Sequence, residues 1–201
     1  ERRSRGLGDV YKRQIFTGFE NLLSQMYSDF DPDIKVTSKN QTFFSKSDFN
    51  FGELDSSQID YALTIENKVL AKYEDKQFLT NLKGVSNSYE NVTKINGFVK
   101  EIFFDKNNSH NNVYLGLGLA NNIGIQNESF NKTLSFFYPN FKTNTVFGVK
   151  PYNTDKAIVN KIFSFASDVD NEFAISEIEF AQNLFSKNGL ISAIEINVKN
   201  K

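Results

Sequence analysis

A chain of 201 residues is long enough for one substantial domain or two small ones. With 39% apolar and 23% charged residues, 21 Phe among them, it holds material for a packed core and is not a disordered chain. The lack of cysteine excludes disulfides, thiolate nucleophiles and zinc-thiolate clusters without fixing the compartment, and a net charge of −1 gives no general attraction to nucleic acid.

The charge is unevenly spread. Residues 1–14, ERRSRGLGDVYKRQ, set Arg2, Arg3, Arg5, Lys12 and Arg13 against Glu1 and Asp9, a net +3 that leaves −4 on the remainder. A basic arm ordinarily suggests nucleic acid or anionic lipid. RSRGLGDVYKRQ, however, resembles translated adaptor sequence found at the broken ends of proteins predicted from shotgun sequencing, so 1–14 is read as an artefactual or disordered arm. The protein proper is then expected to start near Ile15. IFTGFENLLSQMYSDF places Ile15, Phe16, Phe19, Leu22, Leu23, Met26, Tyr27 and Phe30 on a helical apolar face, stopped by Asp31 and Pro32. It is read either as a core helix or as the outer end of a membrane helix, although no run of about 18 apolar residues occurs in the chain.

DIKVTS reads as a short strand, and the region around Ser47 to Leu54 as a helix. YALTIENKVLAKYEDKQFLTNLKGV reads as a hairpin turning at Glu74-Asp75-Lys76, with Val69, Ala71 and Tyr73 facing Phe78, Thr80 and Leu82, and ended by Gly84 and Asn87-Ser88. Asn107–Asn112 and Asn140–Asn144 are expected as surface loops. VYLGLGLANNIGI is a strand running into a short helix, with glycine allowing close backbone approach. LSFFYP is a strand closed by Pro139, and KAIVNKIFSFASDVD a long extended segment. SEIEFAQNLFS predicts a helix with Ile178, Ala181, Leu184 and Phe185 on one face, Ser176 as N-cap, Glu179 completing a capping box, and a stop near Gly189. LISAIEINVK alternates as a closing strand. Strands and helices mix without a regular βαβ rhythm, which predicts an α+β fold.

Most catalytic chemistry fails on spacing. Gly116, Gly118 and Gly124 miss the dinucleotide pattern, because position 121 is Asn and no phosphate-binding lysine follows. A calcium loop at Asp29, Asp31 and Asp33 lacks its glycine at Ile34 and its bidentate acid at Asn40. His110 stands in a polar tract without convergent partners, which leaves a Ser-His-Asp relay unsupported. Asp168, Asp170 and Glu172 are expected in a solvated turn; convergence in a pocket would instead make a soluble carboxylate-dependent hydrolase. Asn-x-Ser/Thr triplets such as those at Asn91 and Asn131 arise by chance in an asparagine-rich chain.

From Ile15 onward the chain resembles the extracytoplasmic domain of ABC-transporter permeases of the lipoprotein-releasing LolC/LolE type, within the wider FtsX and MacB group, in a Bacteroidetes-like form. GFENLLSQMYSDFDPDIKV is similar to the junction where the first membrane helix gives way to a strand, and ENKVLAKYEDKQFLTNLKGV to the paired strands that follow. YLGLGLANNIGI resembles an LG-x-x-LA-x-x-LG element, KIFSFASDVDNEFAISEIEFAQNLF a strand, acidic turn and helix, and ISAIEINVK a closing strand. The resemblance implies a stalk helix at 15–30 continuing from a membrane helix. It also implies a porter-like α/β subdomain at 31–106 and 187–201, with an inserted, mostly β, Sabre-like subdomain at 107–186. The implied role is non-catalytic and without cofactor or metal: a periplasmic lever of an inner-membrane permease. Its partners would be a cytoplasmic ATPase subunit, a second permease subunit, a lipoprotein cargo and a periplasmic lipoprotein carrier. The carrier would be gripped by a loop that here corresponds to Pro139 to Lys156, with Phe141, Val146, Phe147, Pro151 and Tyr152 as the contact residues. Efflux of the MacB type or signalling of the FtsX type, through an adaptor or a cell-wall hydrolase activator, is the neighbouring alternative.

Overall fold

The structure, a computed structural model, describes residues 14, 17, 30–53, 57–93, 111–125, 132–140 and 150–199. Its backbone is an eight-stranded mixed sheet in the order β1-β10-β3-β4-β8-β5-β7-β6. The strands are β1 (Ile34–Thr37), β3 (Ile59–Tyr73), β4 (Lys76–Val85), β5 (Asn112–Gly116), β6 (Lys132–Pro139), β7 (Tyr152–Phe163), β8 (Phe173–Glu177) and β10 (Ala193–Val198). A further pairing of Leu70, Ala71 and Lys72 on β3 with Phe137, Phe136 and Ser135 on β6 joins the two ends of a six-strand run. Strands β3, β4, β8, β5, β7 and β6 thus form a ring, with β10 and β1 appended beside β3. A separate two-stranded sheet pairs β2 (Phe44–Ser45) with β9 (Leu190–Ile191). The architecture is α+β, as the sequence predicts.

The β3–β4 hairpin is the longest element, and alternation of small and branched side chains explains its two buried faces. Its turn is tight: Tyr73 pairs with Lys76, and Glu74 adopts a left-handed φ of 52°. The expected face of Val69 and Ala71 meets Thr80 and Phe78 in register.

Each face of the sheet carries a core. On the inner face Ile65, Val69, Leu82, Val113, Leu115, Leu134, Phe136 and Val159 gather. Helix α4 (Ile178–Phe185) adds Ile178, Ala181, Leu184 and Phe185 to this cluster as the apolar periodicity predicts, and lies against β3, β4, β6, β7 and β8. On the outer face Phe30, Ala62, Val85, Tyr89, Val92, Tyr114, Phe163 and Ile175 form a second core, supported by helices α1 (Tyr89–Val92) and α3 (Ser167–Glu172).

Several local expectations are corrected. The segment expected as a helix from Ser47 consists of two 3-10 turns, Lys46–Asp48 and Phe51–Glu53, the first capped by Ser45 and Asp48. The long extended segment breaks at Phe163, because Asp170 folds back to accept hydrogen bonds from the Ser164 hydroxyl (2.7 Å) and the Phe165 amide (2.8 Å), starting α3. Ser176 is no N-cap: it is buried in β8, Glu177 takes the cap position without a side-chain bond, and the Ser176 hydroxyl donates to the Glu177 carbonyl. Gly84 does not end β4 but lies under α4, where a Cβ would come 2.5 Å from that of Ala181. The amphipathic segment 15–30 lies outside the described residues except for Thr17, which is helical, and Phe30, which is buried. His110 and most of the two asparagine-rich loops also lie outside them.

Candidate functional site

The strand–helix junction at the glycines is architectural. Gly116 ends β5 and N-caps helix α2 (Leu117–Ile123), and Gly124, at φ 80°, closes it in the left-handed conformation. A Cβ on Gly116 would collide with the Asp170 carbonyl, and one on Gly118 with the Asn171 side-chain amide. Helix α3 fills the space in front of these glycines, where a phosphate would have to sit.

The acids of ASDVDNEF part company. Asp170 is buried and committed to the turn before α3, while Glu172 accepts from the Asn81 amide at 3.4 Å. Asp170 is therefore not in the solvated turn expected for it. Among the described residues, no three of His, Cys, Asp or Glu come together as a group able to hold a metal.

What the structure does assemble at the β6–β7 end is exposed aromatic surface. Of the five candidate contact residues, Phe141, Val146 and Phe147 lie outside the described residues. Pro151 and Tyr152 stand at the foot of their loop, where Pro139 pairs with Tyr152 and the Asn140 amide donates to the Pro151 carbonyl at 2.8 Å. Asn153 ties that foot to helix α4, donating at 2.9 Å to both the Leu184 carbonyl and the Ser186 hydroxyl and accepting from Asn140. The loop thus springs from a braced base. Beside it opens a cavity of about 520 Å³ floored by Phe43, Tyr138 and Phe185, with Lys187 over the Phe43 ring at 5.2 Å. Burial pushes the Tyr138 hydroxyl above the ordinary tyrosine range, and it accepts a hydrogen bond from Asn67 at 3.0 Å.

Tyr152 is exposed and packs edge-on against Phe137, with ring centroids 5.6 Å apart. Phe137 pairs across the seam with Leu70, which pairs with Leu79, and directly opposed residues share a face. Leu79 is 71% exposed, the barest large apolar side chain among the described residues. Leu79, Leu70 and Phe137 therefore make one apolar row over three strands, and Tyr152, two residues along β7 from the Thr154 that pairs with Phe137, extends it through its ring contact. Sequence reasoning found Tyr152 but missed Leu79, Leu70 and Phe137, because only cross-strand register aligns them.

The second feature missed is a buried ion pair. Lys83, on the outer face of β4, sits 2.9 Å from Glu195 of β10, both at 3% exposure or less. Glu195 also accepts from the Thr64 hydroxyl at 3.3 Å, and the Lys83 ammonium lies 4.9 Å from the centroids of both the Phe30 and Tyr89 rings. Burial penalises the Lys83 cation, but the negative charges that Tyr89 and Glu195 can carry outweigh it, and its pKa lies above the ordinary lysine value. Burial, partly offset by Lys83, pushes the Tyr89 hydroxyl up to about 12.

No protein-family model matches the sequence, and no curated protein matches it. The fold does have solved counterparts. It is the fold of extracytoplasmic transporter domains. The extracellular domain of the noncanonic ABC-type transporter YknZ from Gram-positive bacteria superposes with TM-score 0.51 at 11% identity, covering 83% of this chain and 82% of that one. The periplasmic region of MacB from Actinobacillus actinomycetemcomitans does so with TM-score 0.51 at 16% identity, over 82% of this chain and 69% of that one. The α+β architecture predicted from the mix of strands and helices is the one these solved domains share.

Proposed function

We propose that this chain is the extracytoplasmic domain of an ABC-transporter permease subunit of the lipoprotein-releasing LolC/LolE type, acting through protein contacts and not through catalysis. The observation that carries the reading is the fold, shared with two transporter domains over more than four-fifths of the chain. The order of the quoted segments, from GFENLLSQMYSDF to ISAIEINVK, supports the lipoprotein-releasing type.

In this proposal residues 15–30 form the stalk, 31–106 with 187–201 the porter-like part and 107–186 the Sabre-like insertion. The pairing of β1 with β10, and the hydrogen bond from the Val198 amide to Asp33 at 2.8 Å, suit a domain pulled from both ends together. A cytoplasmic ATPase subunit drives the motion, a second permease subunit completes the dimer, and the domain lies in the periplasm. The loop carrying Phe141, Val146, Phe147, Pro151 and Tyr152 then grips the carrier that receives the lipoprotein.

The test uses the full-length permease in proteoliposomes with its ATPase and a tagged periplasmic lipoprotein carrier. ATP-driven release of lipoprotein is expected, and Phe147→Asp or Tyr152→Asp is expected to cut carrier pull-down about tenfold, as loss of one interface anchor does. Release that is unaffected by either substitution sinks the loop assignment. The likeness to MacB favours a second reading, a MacB-like efflux permease whose domain binds an adaptor; retention of adaptor without lipoprotein release would select it.

A further inference from the structure

The apolar row of Leu79, Leu70 and Phe137, with Tyr152 against Phe137, has lysines on both sides. Register places Gln77, Lys72, Ser135 and Lys156 in the row on one side, and Lys68 lies next along β3 on the other. Lys68 and Lys156 are exposed, Lys72 is half-buried, and among the described residues none of the three stands in an ion pair. No carboxylate interrupts these rows. The acids at their borders are engaged or set apart: Glu66 pairs with Lys35 at 3.7 Å, Glu172 accepts from Asn81, and Glu74 and Asp75 make the hairpin tip. Next to Leu79 a hollow of about 180 Å³, lined by Lys68, Thr80, Asn81, Asn171 and Glu172, has room for one inserted side chain.

We propose that this four-stranded outer face docks an acidic protein partner that presents apolar side chains flanked by carboxylates. The proposal rests on the reading of the domain as a protein-contact module and deepens it by giving the partner's chemistry. Burial of Leu79, Phe137 and Tyr152 supplies the affinity, and the lysines supply orientation and steering. A membrane surface fits poorly, because Leu70 and Phe137 are half-buried in the sheet and only Leu79 stands largely bare, so the row lacks the projecting apolar edge that enters a bilayer.

The test is fluorescence anisotropy of the full chain with a labelled strand-forming peptide that alternates Glu with Leu and Phe, and with its twin carrying Lys for Glu. The acidic peptide is expected to bind about tenfold more tightly at about 50 mM salt, with the difference largely gone at about 500 mM. Lys72→Glu with Lys156→Glu should reverse the preference, Lys72→Gln with Lys156→Gln should abolish it, and Leu79→Ser should weaken both peptides alike. Equal binding of the twins, or a preference that survives charge reversal, overturns the proposal. Tighter co-sedimentation with phosphatidylglycerol vesicles than with phosphatidylcholine vesicles, together with no peptide binding, overturns it in favour of a lipid surface. If the acidic peptide shows no preference while carrier pull-down still depends on Phe147, the charge inference falls and the permease reading stands. Loss of pull-down dependence with the peptide preference intact sinks the loop assignment and leaves the charge inference standing.

Discussion

Lys83 and Glu195 show how a single residue can decide more than its share. Two ions taken out of water cost several kcal/mol each, and their attraction offsets this only while both are present. Glu195→Leu should therefore destabilise the domain by about 3–5 kcal/mol in urea unfolding, since it strands the Lys83 cation under Phe30 and Tyr89. Lys83→Met combined with Glu195→Leu should recover most of that loss, and a double variant as weak as the single would refute the account. Tyr89 adds a pH signature. Its phenol titrates at about 12 in the fold against 10.0 as the ordinary value, so between those limits the folded state holds a proton that the unfolded chain has released. Lys83, raised in the fold, also keeps its proton longer when folded. Both signs agree: what these two groups contribute to stability is fully present below about pH 10 and falls as pH rises toward 12, by on the order of 2–3 kcal/mol for Tyr89. Tyr89→Phe should flatten the first part of that alkaline limb in pH-dependent urea melts, and an unchanged slope would remove Tyr89 from the explanation.

At the scale of elements, glycine sets how closely helices approach strands. Gly84 meets Ala181, and Gly116 meets the α3 backbone at Asp170. Gly84→Ala must push α4 outward, costing about 1–3 kcal/mol as overpacking does. Gly116→Ala opposes a backbone carbonyl that no rotamer can move aside and should cost more, whereas Gly118→Ala meets the Asn171 side chain and should cost least. Thermal unfolding of the three variants ranks them, and any other order contradicts the approach geometry. Such elements differ in how legible they are in sequence. Helix α4 can be read from Ile178, Ala181, Leu184 and Phe185 because one helical period buries them all, and VYLG into a helix because glycine marks the junction. The role of Gly84 cannot be read, since the helix it admits comes about a hundred residues later. Ser176 looked like a cap because Ser-x-x-Glu is a local pattern, but strand pairing of Gly84 with Ser176 claimed the residue first. Of the candidate site, Pro151 and Tyr152 were visible as apolar groups in a polar stretch. Leu79, Leu70 and Phe137 alternate like ordinary strand residues, and only register across β4, β3 and β6 turns them into a surface.

Across the whole molecule the outer face of the sheet runs from a covered end to a bare one. At the covered end Phe30, the last residue of the segment read as a stalk, packs on Lys83, Phe173 and Phe165. At the bare end Leu79, Leu70 and Phe137 face outward, and the Leu70–Phe137 pair is also part of the seam that closes the ring. That seam is short, three residue pairs against ten between β3 and β4 and eight between β6 and β7; the β5–β8 join has only three as well, but its residues are all buried, so the half-exposed β3–β6 seam is the weaker line. Local opening follows such lines, because few hydrogen bonds must break and Leu70 and Phe137 already lie half in water. Amides of 70–72 and 135–137 that bond across the seam should thus exchange about tenfold faster than those of 78–82 in native-state hydrogen exchange. A partner seated on the outer row bridges Leu70 and Phe137 and so binds only the closed ring. By linkage it must then slow seam exchange while leaving the β3–β4 ladder unchanged. Adding the acidic alternating peptide at saturation should produce that selective slowing. Equal protection of seam and ladder without peptide would show that the ring opens only by global unfolding, and slowing of the ladder alone would place the peptide elsewhere.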